Sequence, residues 1–232
     1  DIPQYLEDGV VDIAIVGENL LVEKNKKVRV LEKLGFSKCR LALAIPKSVK
    51  TEGPSYFKGK KIATSYPNTV RKYFADKNIQ TDIHVISGSV EIAPNIGLAD
   101  GICDVVSTGS TLFKNGLKET DVVLTSEAVL ASSMNLSAEH QEILDRLIFR
   151  IKAVLRAKNT KYILMNLPND KIEEVSAILP VLKSPTILPL AQSGWSSLHS
   201  VIDEDKFWEV IDALKAAGAE GILVAPIDKI VR

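Results

Sequence analysis

The sequence predicts an α/β fold that closes on a separate ferredoxin-like βαββαβ unit, on three observations. Short apolar runs ended by glycine or proline alternate with helix-type periodicity through the first part of the chain. One long amphipathic helix follows. Beyond it the strand and helix signals restart in the order βαββαβ.

Val11–Val16, ended by Gly17, suits a buried strand. Val28–Leu34 and Cys39–Ile45 predict two more, the second halted by Pro46. After a polar stretch, Lys61–Thr64 predicts a short strand, and Pro67 opens a helix through the segment TVRKYFADKN. Asp82–Ile86 predicts a strand, the run Ser87–Gly101 a loop and a helix ended by Gly101, and Ile102–Val106 a buried strand. Val122–Ser132 reads as one strand. Ser137–Ala157 is the clearest helix, with Ile143, Leu144, Leu147, Ile148, Ile151, Val154 and Leu155 on one face. The terminal unit is read as strands at Tyr162–Asn166, Thr186–Leu190, Ser196–Ile202 and Gly221–Pro226, with helices at Asp170–Leu179 and Asp205–Ala217.

Composition narrows the function classes. Lys+Arg and Asp+Glu number 29 each, so no global basic field draws nucleic acid or an anionic membrane, and an anion site must be local. No apolar run reaches the roughly 18 residues of a membrane span, and the first residues lack a signal-peptide pattern, so a cytoplasmic protein is expected. Cys39 and Cys103 have neither disulfide-framework nor zinc spacing. His84, His140 and His199 stand in no motif, which leaves nucleophilic catalysis without support.

The strongest chemical signal is GICDVVSTGSTL, Gly101–Leu112. A strand carrying Asp104 runs into Ser107, Thr108, Gly109, Ser110 and Thr111. Glycine lets a backbone approach a phosphate closely, and consecutive N–H groups form a nest for it. The hydroxyls add donors without net charge. Asp104 is suited to accept from ribose hydroxyls. A Ser/Thr-rich turn without a ligand accounts for the same composition.

The segment EIAPNIGLADGICDVVSTGSTL resembles the signature of the ATP phosphoribosyltransferases. DGVVDIAIVGEN, CRLALA, KIATSYPN and SGSVE agree with that family in order, and SPTILPLA and GILVAPIDK resemble its long form. The resemblance implies two α/β lobes like those of type II periplasmic binding proteins. Residues 1–46 and 119–157 would form the first lobe, 47–118 the second, and 158–232 a ferredoxin-like regulatory domain. It implies transfer of a phosphoribosyl group from phosphoribosyl pyrophosphate to N1 of ATP, with Mg2+ and release of pyrophosphate. Asp104 and Ser107–Thr111 would hold the ribose and its 5′-phosphate. Glu91 and Arg40 would lie in the cleft near the purine or the donor, with Tyr66 on its wall. Family members begin with a strand and a K-x-G-R-L type loop upstream of the first residue here, so this chain alone is expected to be weakly active or inactive.

For the tail, the resemblance implies an L-histidine effector site around Asn166, Leu182, Thr186, Ser200 and Gly221, and a homodimer that converts to a hexamer. Two lobes around a cleft also suit a non-enzymatic small-molecule binding or regulatory protein, because fold does not fix function. The phosphate-type loop argues for the enzyme.

Overall fold

The structure, a computed structural model, describes residues 1–50, 53–179 and 184–231. The chain divides into two compact units, 1–140 and 141–232.

The first unit holds two sheets. Helix α1 (Ile2–Glu7), strand β1 (Ile13–Gly17), helix α2 (Glu18–Lys24) and strand β2 (Arg29–Lys33) lead into strand β3 (Cys39–Pro46). Then come β4 (Lys61–Thr64), α3 (Pro67–Asp76), β5 (Asp82–Val85), β6 (Gly101–Val106), α4 (Ser110–Lys114), β7 (Leu117–Ser126) and β8 (Ala128–Ser132). The smaller sheet has the order β1-β8-β2, both outer strands antiparallel to β8. Its core packs Val16, Val129 and Ala131 against Leu6 and Leu21 of the flanking helices. The larger sheet has the order β5-β4-β6-β3-β7. Strands β5, β4 and β6 run parallel, and β3 lies antiparallel between β6 and β7. A strand entering from the other lobe and inserting before the last one is the type II periplasmic-binding-protein topology.

Two features differ from the sequence reading. The run Val122–Ser132 is two strands, in different sheets, broken at Glu127. Here the chain crosses between lobes beside the other crossing. Leu34 N–H donates to the Ala128 carbonyl at 2.9 Å, Ala128 N–H to the Phe36 carbonyl at 3.0 Å, and Gly35 N–H to a Glu127 carboxyl oxygen at 2.8 Å. A lobe boundary at residue 46 is also corrected: β3 belongs to the second lobe's sheet. Its consecutive buried residues Leu41–Ile45 need cover on both faces, which a central strand receives.

The region before β6 forms a 3-10 turn at Val90–Ile92 rather than a regular helix. Pro94 cannot extend a helix backwards, and Gly101 is not a cap but the first residue of β6. A Cβ on Gly101 would lie 2.8 Å from the Ala44 carbonyl oxygen and 2.7 Å from the Phe57 ring. This glycine sets how tightly β6, which leads into the Ser/Thr loop, packs on β3.

The second unit contains most of α5 (Ala138–Ala157), then β9 (Thr160–Pro168), α6 (Ile172–Ile178), β10 (Thr186–Pro189), β11 (Trp195–Asp203), α7 (Glu204–Ala216) and β12 (Glu220–Pro226). Residues 141–157 cluster with this unit rather than with the first lobe. Ser137 caps α5, its hydroxyl accepting from His140 N–H at 3.2 Å. The sheet order β10-β11-β9-β12, antiparallel throughout, is the ferredoxin-like one. One face packs Ile163, Met165, Leu167, Leu198 and Ile202 against Val175 of α6 and Leu214 of α7.

Replacing Gly101 by alanine is expected to destabilise the protein by about 1–3 kcal/mol, because neither close neighbour can recede freely. The midpoint of urea unfolding checks this; an unchanged midpoint would mean that β6 moves aside without loss.

Candidate active site

The Ser/Thr loop leaves the C-terminal end of β6 and enters α4. Gly109 caps that helix in the left-handed region, at φ +79°, a conformation that a side chain would strain. Thr108 and Ser110 hydroxyls join at 3.1 Å, which organises the loop from within. A cavity of about 270 Å³ is lined by Glu91, Asp104 and the continuous run 105–112. Strand, loop and 3-10 turn thus bring together seven of the residues singled out in the sequence: Glu91, Asp104, Ser107, Thr108, Gly109, Ser110 and Thr111.

The electrostatics of this cavity are set by two acids. Burial holds the Asp104 carboxyl above the ordinary carboxylate range, and the Glu91 charge pushes it further up. The Val105 N–H, donating to Asp104 Oδ1 at 2.8 Å, pulls the other way. The site therefore couples neutral phosphate-type donors to a partly desolvated carboxylate pair.

Arg40 and Tyr66 do not line this cavity. Arg40 is engaged by Glu119 of β7: its Nε and Nη2 donate to the two carboxyl oxygens, each at 2.6 Å. Its Nη1 donates to the Ser107 carbonyl at 3.1 Å. Tyr66, half-buried, immediately precedes α3, and burial raises its phenol above the usual range. Its hydroxyl accepts from Asn19 Nδ2 at 2.8 Å. Asn19 is itself fixed by Ser126, whose hydroxyl accepts from Asn19 N–H and donates to Asn19 Oδ1, both at 3.0 Å.

A second inter-lobe contact lies one turn along α2. Glu23, 4% exposed, accepts from Asn68 N–H at 3.0 Å, Thr69 N–H at 2.9 Å and the Thr69 hydroxyl at 2.8 Å. The Glu23 carbonyl accepts from Asn68 Nδ2 at 3.0 Å. A carboxyl group from the first lobe thus caps α3 of the second, which has no side-chain cap of its own. Sequence reasoning missed Glu23, Asn19, Ser126 and Glu119. Glu23 and Glu119 fall outside the elements the sequence reading assigns; their partners are remote in sequence, and no local spacing signals them.

In the second unit, Asn166 alternates to the face away from Met165 and Leu167, and pairs in register with Ser197 and Glu220. A Cβ on the neighbouring Gly221 would lie 3.5 Å from Asn166 Nδ2. Thr186 pairs with His199 on the same face. His199 joins Tyr162 through Nδ1 at 2.6 Å and Ser197 through Nε2 at 2.9 Å. Ser200 is buried, in register with Ile163, and belongs to the helix-covered face. The structure does not bring it together with Asn166 and Thr186. Leu182 lies outside the described residues.

The family model described as "HisG: ATP phosphoribosyltransferase" matches residues 1–153, and that described as "HisG, C-terminal domain" matches residues 157–229. This chain belongs to the ATP phosphoribosyltransferase family. It is 59% identical over 232 residues to the ATP phosphoribosyltransferase of Cytophaga hutchinsonii, covering all of this chain and 81% of that one. The Bacteroides fragilis enzyme of the same name is 55% identical over 231 residues, with 82% of its length covered. Among solved structures, the ATP phosphoribosyl transferase (HisG:HisZ) complex from Thermotoga maritima superposes with a TM-score of 0.57 at 30% identity. That match covers 64% of this chain and 72% of that chain. As a member of the family, the chain is a glycosyltransferase of histidine biosynthesis. The C-terminal match makes it a long-form member.

Two predictions follow for this family member. Glu23→Ala uncaps α3 and leaves buried donors without an acceptor, with an expected loss of about 1–3 kcal/mol by denaturant titration. Loss of ionised Asp104 on acidification should lower kcat/KM at a higher pH than for a solvated aspartate. Removing the neighbouring charge lowers the Asp104 pKa, so Glu91→Gln should move this acid limb to lower pH in a pH–rate profile.

Proposed function

We propose that the first unit joins N1 of ATP to C1′ of phosphoribosyl pyrophosphate with release of pyrophosphate. The observation that carries this reading is the single cavity in which Asp104, Glu91 and the loop 107–111 converge. Loop N–H groups and the hydroxyls of Ser107, Thr108, Ser110 and Thr111 bind the 5′-phosphate. Asp104 accepts from the ribose hydroxyls, and its charge, with that of Glu91, favours the oxocarbenium character that grows at C1′ as the bond to pyrophosphate breaks. Tyr66 forms cleft wall for the second substrate. Holding two anionic substrates in line supplies much of the rate through positioning.

The donor set is compatible with Mg2+ brought in on the pyrophosphate. Asp104 and Glu91 face one cavity, and the Glu91 charge works against ionisation of Asp104, a repulsion that a hard cation relieves. Among the described residues no group of three His, Cys, Asp or Glu gathers that could hold a metal ion. The chemistry a bound Mg2+ supplies is neutralisation of the charge growing on the leaving group.

The second unit, in this reading, receives L-histidine on the sheet face carrying Asn166, Thr186 and Gly221, and Ser200, on the opposite face, is not part of that site. Feedback requires two states that histidine binds unequally, and a homodimer converting to a hexamer would provide them. With its own C-terminal domain the chain would not need a separate regulatory subunit. No helix among the described residues is long and apolar enough to cross a membrane.

The decisive experiment follows pyrophosphate release by the full-length protein with Mg2+ and either or both substrates, with and without L-histidine. Release that requires both substrates and falls with histidine is expected. No release by folded protein would overturn the catalytic reading, and histidine-insensitive release would overturn the regulatory one.

A further inference from the structure

We propose that Glu119 is a positioning residue for the loop 107–111, acting through Arg40 to orient the peptide that opens the loop. The inference rests on the reading of that loop as the donor's phosphate site. Arg40 stands on β3 between the two strands it links, in register with Val106 of β6 and Thr125 of β7. Its Nε and Nη2 meet both carboxyl oxygens of Glu119 at 2.6 Å. Such a two-point pairing of planar groups fixes the guanidinium plane and not merely its position. The remaining Nη1 is thereby aimed, and it donates to the Ser107 carbonyl at 3.1 Å.

A trans peptide is planar, so a carbonyl and the N–H that follows it point in opposite directions. Holding the Ser107 carbonyl toward Arg40 turns the Thr108 N–H away from Arg40, and Ser107 and Thr108 both line the cavity while Arg40 does not. Arg40 therefore serves the loop from behind, where the family resemblance led us to expect a group in the cleft. Lysine could offer a charge here but not the fork that sets direction. The side chains are 34% and 26% exposed, so the pair is sheltered enough to hold one geometry.

The test uses Glu119→Gln and Arg40→Lys. Calorimetric titration with ribose 5-phosphate reads the loop directly, and the KM values for phosphoribosyl pyrophosphate and ATP read it in turnover. Losing a charge-assisted contact behind the loop should raise the ribose 5-phosphate Kd and the KM for phosphoribosyl pyrophosphate about tenfold, with the ATP KM within about twofold of wild type. Unchanged ribose 5-phosphate affinity in both variants would overturn the proposal, as would equal weakening toward both substrates, which marks a general loss of structure. If the wild-type protein binds ribose 5-phosphate but releases no pyrophosphate, the catalytic reading fails and calorimetry alone decides for or against the brace. If it binds no ribose 5-phosphate, the brace fails with the loop it was to serve.

Discussion

The carboxyl group of Glu23, buried at the junction of the two lobes, is the contact on which the cleft's architecture depends. A helix begins with N–H groups that its own backbone cannot satisfy. At α3 the preceding residue is Tyr66, which offers no side-chain cap, and Pro67 removes only one donor. The first lobe supplies the acceptor instead. This fixes the α2–α3 contact, and with it the segment 64–68 that carries Tyr66. The hydrogen bond from Asn19 to the Tyr66 hydroxyl is a second tie from the same helix α2. Because a carboxyl group already fills the N-terminus of α3, that helix end is not available to a phosphate, and the proposed phosphate site is the loop after β6.

The sequence made some features of this arrangement legible and hid others, for physical reasons. Strands such as β3 and β6 announce themselves as apolar runs, and the loop 107–111 is visible because it is local: strand, acid, hydroxyls and glycine are contiguous. The long helix α5 and the βαββαβ tail follow from periodicity. What stayed hidden depends on distance. The polar residues Thr125–Glu127 interrupt the apolar run Val122–Ser132, but three polar positions fit a strand that stays in one sheet as well as one that changes sheets there, so the run reads as one strand. Residues 39–46 show a buried strand but not which sheet buries it. Gly101 looked like a helix cap because a glycine needed for close packing carries the same letter as one needed for a turn.

Charge at the site shows the same separation of the local from the remote. Read along the chain, Arg40 beside a phosphate-type loop suggests a cation for an anionic substrate. In the fold that charge is already met by Glu119, and Arg40 touches the loop through a backbone carbonyl. The loop side of the cavity then presents amides and hydroxyls rather than cationic side chains, facing Asp104 and Glu91. This is a workable division. Were a free guanidinium to lie beside Asp104, the two would pair, and the carboxylate would be drawn from the ribose. In the proposed reaction, neutral donors would grip the phosphate and leave both acids free to act on the sugar, where positive charge develops during transfer. With Lys+Arg and Asp+Glu equal at 29 each, the chain has no net field to draw an anion, so the proposed phosphate site depends on directed dipoles of the loop.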